Sequence, residues 1–388
     1  MRTPRSAEEI RELMERLEAE RRRAKPVVER LVTTIEQQWD EEVPVEWRNV
    51  GFVTELNKAS AATLEQNADR SHALAQFALT IATGIPRDRY PSMILAEIEG
   101  TAWRRIAQAH HYRSNCTDAL KALEVADKYY WSEGGLFEER AISGFVRAMI
   151  YADLRRFDEA DVLLLASEQV FGDTGNVRLY GHCLLLRGTI AYRQHHLVTA
   201  ASIFRVAIDV LHDADDLPQL AKALNALGLV RSDLGDFTSA ASAFQDALSI
   251  CSNLGLKGEL ARTKGCLGRV SLSLGRYAEA QKLLTEARSV FLTLHMPEEG
   301  GLAGLELVET FIALREEFRA VAVVEEVIAE FQRANLNGRV ATALAYLRDM
   351  VPSRRAREAA RHVRKYVETL KHEPELLFRP LPEDDQST

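Results

Sequence analysis

The histidines, which are well suited to metal binding and catalysis, lack the spacing that a metal site or an active site requires. Histidines stand in two adjacent pairs, His110-His111 and His195-His196. Because neighbouring residues on a helix point about 100° apart, neither pair can hold one metal ion by itself. The motifs of zinc hydrolases, phosphate-binding loops, dinucleotide-binding folds and serine hydrolases are absent from the sequence. The sequence therefore predicts a protein that is not an enzyme and that has no cofactor and no metal site.

The cysteines give no redox or metal signal. The chain has four of them, without a C-x-x-C pair, at Cys116, Cys183, Cys251 and Cys266. Each lies in an apolar helical stretch, which predicts reduced, buried thiols rather than a disulfide framework.

The charge balance argues against nucleic acid or membrane as the main partner. The chain has 388 residues, 49 of them basic and 57 acidic, and a formal net charge of −8. No stretch of about 18 apolar residues occurs, and the first residues are too densely charged for a secretion signal. We therefore expect a cytoplasmic protein with protein or peptide partners. Its oligomeric state cannot be read from the sequence.

The elements that must position these residues are predicted to be helices. Ala, Leu, Glu and Arg dominate, only 11 prolines interrupt the chain, and 46% of the residues are apolar. No run alternates apolar and polar residues between turn signals, as a half-buried strand would. The fold class is therefore predicted to be all-α.

A period of 40 residues runs through the chain. Alanines mark it without slippage, at Ala160, Ala200, Ala240, Ala280, Ala320 and Ala360. Gly228 and Gly268 keep the same period, and so do Phe204 and Phe244. Where two helices cross closely, only Gly or Ala lets their axes approach, and a larger side chain fills the space beside the contact. The regular small residues are therefore predicted to be packing contacts.

These columns resemble the tetratricopeptide repeat (TPR), whose helix–turn–helix unit carries a Leu-Gly pair and an Ala-x3-Phe signature. Leu227-Gly228 matches the Leu-Gly pair, and Ala240 with Phe244 matches the Ala-x3-Phe signature. The resemblance implies a right-handed superhelical TPR-like solenoid of antiparallel helix pairs. A repeat of 40 residues exceeds the usual length of about 34, and we place the extra residues in the helices and in the second connection.

The order of segments from Val45 to Pro380 also resembles bacterial TPR proteins found alone or behind a helix-turn-helix module. That resemblance implies a regulatory, interaction-based role and supplies no catalytic residues. The repeats divide the chain into five predicted segments. These are a charged helical segment (1–43), an N-terminal repeat or cap (44–97), the repeat array (98–350), a capping helix (351–375) and an acidic disordered tail (376–388).

The N-terminal segment begins with a capping box, Ser6 followed three residues later by Glu9. Pro26 is predicted to end or kink this helix, and a second apolar face begins at Val28 and continues to Trp39. Two interpretations remain open. The helix either caps the end of the solenoid or pairs with a partner as a short coiled coil.

Arginines recur at three- and four-residue steps near the C-terminus, at Arg354, Arg357, Arg361 and Arg364. This spacing predicts one basic helical face. It is read as the solvated face of a terminal cap. The alternative is a docking surface for an acidic partner or for the backbone of a nucleic acid, which would be the only nucleic-acid contact of the chain.

The first helix of each repeat lines the inner wall of such a solenoid. We predict that the groove residues are Arg104, Gln108, His111, Phe145, His182, Tyr192, Lys222, Asn225, Arg262 and Arg269. Amides can bond a peptide backbone, arginines can hold its carboxylates, and rings can cover its apolar side chains. The wall therefore suits an extended peptide.

Three functions remain after this reading. The leading hypothesis is a scaffold or adaptor that binds a protein or extended peptide in its concave groove. The second is a sensor, in which a peptide or small molecule changes the superhelix and so controls a partner such as a transcription regulator. An enzyme would need an acid–base or metal cluster assembled by the fold.

Overall fold

The computed structural model describes residues 6–35, 42–334, 339–370, 373 and 375–382. Within these ranges the regular structure is entirely helical, which confirms the predicted all-α class. The elements are α1 Ala7–Thr34, η1 Val45–Trp47, α2 Val50–Thr63, α3 Ala68–Thr83, α4 Ser92–Tyr112, α5 Cys116–Ser132, α6 Phe137–Asp153, α7 Phe157–Thr174, α8 Val177–Arg193, α9 Leu197–Asp213, α10 Leu217–Asp233, α11 Phe237–Asn253, α12 Lys257–Ser273, α13 Tyr277–Thr293, α14 Pro297–Ala313, α15 Glu317–Arg333, α16 Arg339–Met350 and α17 Ala356–Leu370.

One turn geometry joins the helices from α6 to α15. The second residue of each three-residue turn has a positive φ, whether it is a glycine such as Gly235 (φ 80°) or not, as at His195 (φ 61°) and Arg315 (φ 62°). After Gly235 the amide of Asp236 donates to the carbonyl of Arg231 at 2.9 Å, which closes the end of α10. This bond pattern satisfies carbonyls that a helix end would otherwise leave without partners.

The turns within and between the helix pairs have the same length. Three residues join α10 to α11, and three also join α11 to α12. The expectation of extra length in the second connection is therefore wrong. The additional residues lie in the helices, most of which are 17 residues long in this region, as α10, α11 and α12 are.

The small residues of the repeat lie where two helices touch, as predicted. A Cβ placed on Gly228 would stand 2.6 Å from the ring of Phe244, so no side chain fits there. Gly268 meets Leu284 in the same way, at 2.8 Å. Ala240 and Ala247 are completely buried beside this contact. These residues form the inner seam of a helix pair and are unavailable to a ligand.

The chain divides into two compact units, Met1–Ile190 and Ala191–Thr388, here called unit 1 and unit 2. In unit 1 the helix α1 packs on α2, and α2 and α3 continue the stack to α4. In unit 2 the first helices α10, α12 and α14 are neighbours, and each packs on the second helix that follows it. The last helix departs from this order, since α17 packs on α14 and α16.

The N-terminal helix does not end at Pro26. The helix α1 continues through this residue to Thr34, while Ala24, Val28 and Leu31 bury an apolar stripe on the same helix. We attribute the continuity to this packing, which offsets the hydrogen bond that proline cannot make. The predicted cap is confirmed, because the Ser6 hydroxyl accepts the amide of Glu9 at 3.1 Å. Trp39 lies outside the described residues.

The predicted disordered tail is wrong for residues 376–382. Leu376, Phe378 and Leu381 pack against the core of unit 2. The hydroxyl of Tyr366 donates to the carbonyl of Leu376 at 3.0 Å, and the backbone amide of Leu381 donates to the hydroxyl of Tyr346 at 3.3 Å. These apolar side chains order the segment. Residues 383–388 lie outside the described ranges.

Candidate functional site

Arg104 is a buried structural residue and does not line an open groove. It lies on α4 with 3% of its surface exposed. Its guanidinium donates to the carboxylate of Glu139 on α6 at 2.5 Å and stands 5.6 Å from the ring centre of Tyr130. Because a buried charge needs a partner of its own, Arg104 is committed to its neighbours. The prediction that it contacts a ligand is corrected.

The other predicted groove residues of unit 1 contact residues of their own or of neighbouring helices. Nε2 of His111 lies 2.8 Å from the carboxylate of Asp153, which joins α4 to α6. Gln108 accepts a hydrogen bond from Arg105 on its own helix at 2.7 Å. The rings of Phe145 and His182 lie 6.4 Å apart, so these two residues are brought together.

In unit 2, Tyr192 and Asn225 are each fixed by a hydrogen bond. The hydroxyl of Tyr192 donates to the carboxylate of Asp233 at 2.7 Å, and burial together with this bond raises the pKa of the tyrosine. The amide nitrogen of Asn225 donates to the hydroxyl of Thr263 on α12 at 2.8 Å. The carbonyl oxygen of Asn225 has no hydrogen-bond partner among the described residues. Its orientation is therefore set before any ligand arrives.

Two cationic residues occupy the same repeat position on consecutive first helices, namely Lys222 on α10 and Arg262 on α12. Arg262 is exposed, and its guanidinium contacts Glu259 on its own helix at 2.6 Å. An exposed pair of this kind contributes little to stability. We refer to Lys222, Asn225, Arg262 and Thr263 together as the α10–α12 wall.

Arg269 is the most strongly neutralised of the predicted groove residues. Its Nε lies 2.5 Å from the carboxylate of Glu306 on α14, and a second carboxylate, that of Glu368, lies at 3.8 Å. The attraction of Glu306 raises the pKa of Arg269. Glu306 is only 2% exposed, so Arg269 already compensates a buried charge and is not available to a ligand carboxylate.

Three arginines of the predicted basic face of the C-terminal helix form ion pairs with buried carboxylates. Arg361 donates to the buried Glu309 at 2.6 Å, and Arg364 lies 3.3 Å from Glu306 and 3.8 Å from Glu309. Arg357 lies 3.9 Å from Glu309 and stacks over the ring of a tyrosine on α13. These three arginines neutralise two buried carboxylates of α14, while the Arg361 side chain is still 60% exposed. The face is therefore partly solvated, and its role as a docking surface stays a prediction.

Arg354 does not share this arrangement. The helix α17 begins at Ala356, so Arg354 precedes it and is exposed. Among the described residues it has no ion pair or hydrogen bond. The regular spacing of four arginines therefore combines three residues that form ion pairs with one, Arg354, that forms none among the described residues.

Sequence reasoning missed the acidic partners of several predicted site residues. Glu139, Asp153, Glu306 and Glu309 each compensate a predicted site residue. A weak signal existed for the last two, because Glu306 and Glu309 stand in the apolar stretch "GLAGLELVETF" and are spaced to share one face of α14. A carboxylate in such a stretch needs a cationic partner.

The histidine pairs do not assemble a site. His110 packs its ring 4.7 Å from that of His72, and His195 occupies a turn with a positive φ. Within the described ranges, no three His, Cys, Asp or Glu side chains are placed to hold a metal ion. Of the helices described, none is both long enough and apolar enough to cross a membrane.

Comparison with known proteins supports the repeat. Residues 221–254, which contain Gly228, Ala240 and Phe244, match the sequence model of the tetratricopeptide repeat. No match was found among curated proteins.

Three solved structures share the fold. The first is a signal transduction ATPase with a TPR sensor from Pyrococcus horikoshii, with TM-score 0.60 and 15% identity over 86% of this chain and 54% of that one. This chain thus spans about half the length of that protein. The second is the apo form of the quorum sensor NprR from B. thuringiensis, with TM-score 0.59 and 15% identity over 92% of this chain and 97% of that one. The third is NprR in complex with its cognate peptide NprX, with TM-score 0.53 and 13% identity over 95% of this chain and 100% of that one.

Proposed function

We propose that this TPR protein is a non-catalytic adaptor that binds an extended peptide, or an extended segment of a partner protein, at the α10–α12 wall and thereby regulates the partner. The observation that carries the proposal is the pair of cations, Lys222 and Arg262, at one repeat position beside the fixed amide of Asn225. The remaining groove arginines, Arg104 and Arg269, are occupied by buried or nearly buried ion pairs.

The expected ligand is acidic, either through side chains or through a C-terminal carboxylate. A guanidinium forms strong, directional bonds with carboxylates. Arg262 is the residue we expect to contribute most, because its exposed pair with Glu259 is weak enough to be exchanged for a ligand carboxylate.

A library of random heptapeptides with free carboxyl termini tests this proposal. The full-length protein should enrich acidic sequences, and fluorescence anisotropy should give an affinity that falls at least about tenfold in Arg262→Glu. Arg276→Glu is the matched control, because Arg276 is also exposed and also pairs with a glutamate three positions away. Enrichment of nothing, or equal losses in both variants, would contradict the proposal.

The sensor is the second candidate, and the similarity to peptide-bound NprR favours it. A sensor and an adaptor differ in what the bound peptide changes. With a selected peptide in excess, a sensor should show a changed small-angle scattering profile and altered amide exchange outside the α10–α12 wall. An adaptor should show protection at the wall alone and an unchanged profile.

A further inference from the structure

A cavity of about 580 Å³ lies in unit 1 between α1 and the segment formed by η1 and the start of α2. It contains none of the predicted groove residues. This volume is within the range of small-molecule sites, roughly 300–1,000 Å³. One wall is a single face of α1, from Arg16 to Val27. The opposite wall holds Trp47 and Phe52, whose rings stack with centroids 4.9 Å apart.

The two walls are fixed by a close contact of backbones. A Cβ on Gly51 would stand 2.5 Å from the Cβ of Glu20, so α1 and α2 touch at this glycine. The amide of Gly51 also donates to the carboxylate of Glu20 at 3.3 Å. Because both walls are anchored at this contact, the cavity is formed before a ligand binds.

One end of the cavity is cationic. The guanidinium groups of Arg16 and Arg89 stand over the ring of Tyr90, at 4.6 and 5.5 Å from its centre. Both share one carboxylate, that of Glu20, at 4.0 and 3.7 Å. The hydroxyl of Tyr90 donates to the same carboxylate at 2.6 Å. Two cations thus share a single anion whose lone pairs are already engaged.

The cavity also has a donor that is not used. Nε of Arg16 is buried and has no hydrogen-bond partner among the described residues. Arg23, about two turns further along α1, is exposed and has no ion pair in the described part of the chain. With Glu20 and Glu46 as the acidic lining residues, three arginines leave one positive charge in excess.

The apolar part of the lining lies along both walls. Ala24 and Val27 of α1 face the side that Trp47 and Phe52 occupy. An excess of one positive charge suits a carboxylate, which a guanidinium binds through paired hydrogen bonds. The stacked rings suit an aromatic or aliphatic body.

We propose that this cavity binds a hydrophobic monocarboxylate, with its carboxylate at Arg16 and Arg89 and its apolar body against Trp47 and Phe52. The same chemistry is offered by a free aromatic or fatty acid and by the C-terminus of a peptide that ends in an apolar residue. The site is separate in sequence and in lining from the α10–α12 wall, so it does not depend on the function proposed above.

Ligand-observed NMR titration of the full-length protein tests this inference, with 4-phenylbutyrate as the probe and 4-phenyl-1-butanol as its uncharged counterpart. We expect the carboxylate to bind at least about tenfold more tightly than the alcohol, and Arg89→Ala to remove most of that difference. Arg11→Ala is the matched control on α1, since Arg11 is exposed and does not line the cavity. It should leave both affinities unchanged.

A second variant keeps every charge and fills the space. Ala19 is exposed at the cavity lining, and Ala19→Phe should abolish binding of both probes while circular dichroism and the melting temperature stay unchanged. A Gly-Gly-Phe peptide with a free carboxyl terminus, compared with its amide, shows whether a chain terminus is accepted as well as a free acid. Equal binding of acid and alcohol, or unchanged binding in Ala19→Phe, would overturn the inference.

Discussion

Oε1 of Glu309 on α14 lies 2.6 Å from Nε of Arg361 on α17, although 52 positions separate the two residues in the sequence. Glu309 is only 3% exposed, so its charge depends on the arginines of α17. Glu306, one helical turn earlier, receives Arg269 from α12 and Arg364 from α17. The last helix is therefore joined to two first helices of the array by ion pairs as well as by its apolar face.

Arg364 and Arg354 should differ in their effect on stability. Arg364→Ala leaves two buried carboxylates with fewer cations, and we expect the free energy of unfolding to fall by about 2 kcal/mol. Arg354→Ala removes an exposed side chain and should change it by less than about 0.5 kcal/mol. Urea denaturation followed by circular dichroism measures both. Equal effects of the two substitutions would show that the ion pairs with Glu306 and Glu309 do not form.

The acidic partners of the basic face could not be predicted from the sequence, because spacing gives the direction of a side chain on its helix and not what that helix packs against. Arg361 and Arg364 were placed on one face correctly. What decides their role is the position of α14, which depends on contacts more than 50 residues away in the chain. For the same reason the sequence predicts Arg104 and Arg269 as groove residues although both are held by ion pairs.

Gly228 and Gly172 provide a matched test of the helix contact. At Gly228 a methyl group would meet the ring of Phe244, whereas nothing lies within 4 Å of the corresponding position on Gly172. We expect Gly228→Ala to destabilise the protein by about 2 kcal/mol through overpacking. Gly172→Ala, on an exposed stretch of α7, should be neutral or stabilising by up to about 1 kcal/mol. Thermal melts compare the two, and stabilisation by both would contradict the contact.

The repeat was readable from the sequence because its signal is local and recurs. Gly228, Ala240 and Phe244 lie within one helix pair, and each has a counterpart one repeat later that performs the same packing. The sequence predicts too long a second connection because Asp215 and His295, which lie in the turns between helix pairs, carry positive φ values without being glycine. Because the residues at these positions are not glycine, the sequence does not reveal that the connection has the regular length of three residues.

His195 carries backbone strain that glycine would relieve. Its φ is 61°, in the left-handed region, whereas the next residue, His196, has a φ of −81°. A side chain in the left-handed region costs roughly 1 kcal/mol, so we expect His195→Gly to raise the free energy of unfolding by about 0.5–1 kcal/mol. His196→Gly gains no such relief and should lower it slightly. Chemical denaturation of both variants checks the order, and a destabilised His195→Gly would contradict the turn geometry.

His72 should make the stability of unit 1 depend on pH. Burial, and then the neighbouring His110 and Arg113, lower its pKa from 6.5 to about 4, while Asp69 opposes the shift. Below pH about 6.5 the imidazole of His72 is protonated in the unfolded chain but stays neutral in the folded chain. The free energy of unfolding therefore falls as the pH drops from about 6.5 to about 4. Because solvent screens this half-buried ring, we expect a loss of about 1 kcal/mol at pH 4.5 relative to pH 7. The His72→Gln variant, which cannot titrate, should lose correspondingly less over the same interval. Parallel stability curves of the two proteins from pH 7 to pH 4.5 would contradict this assignment.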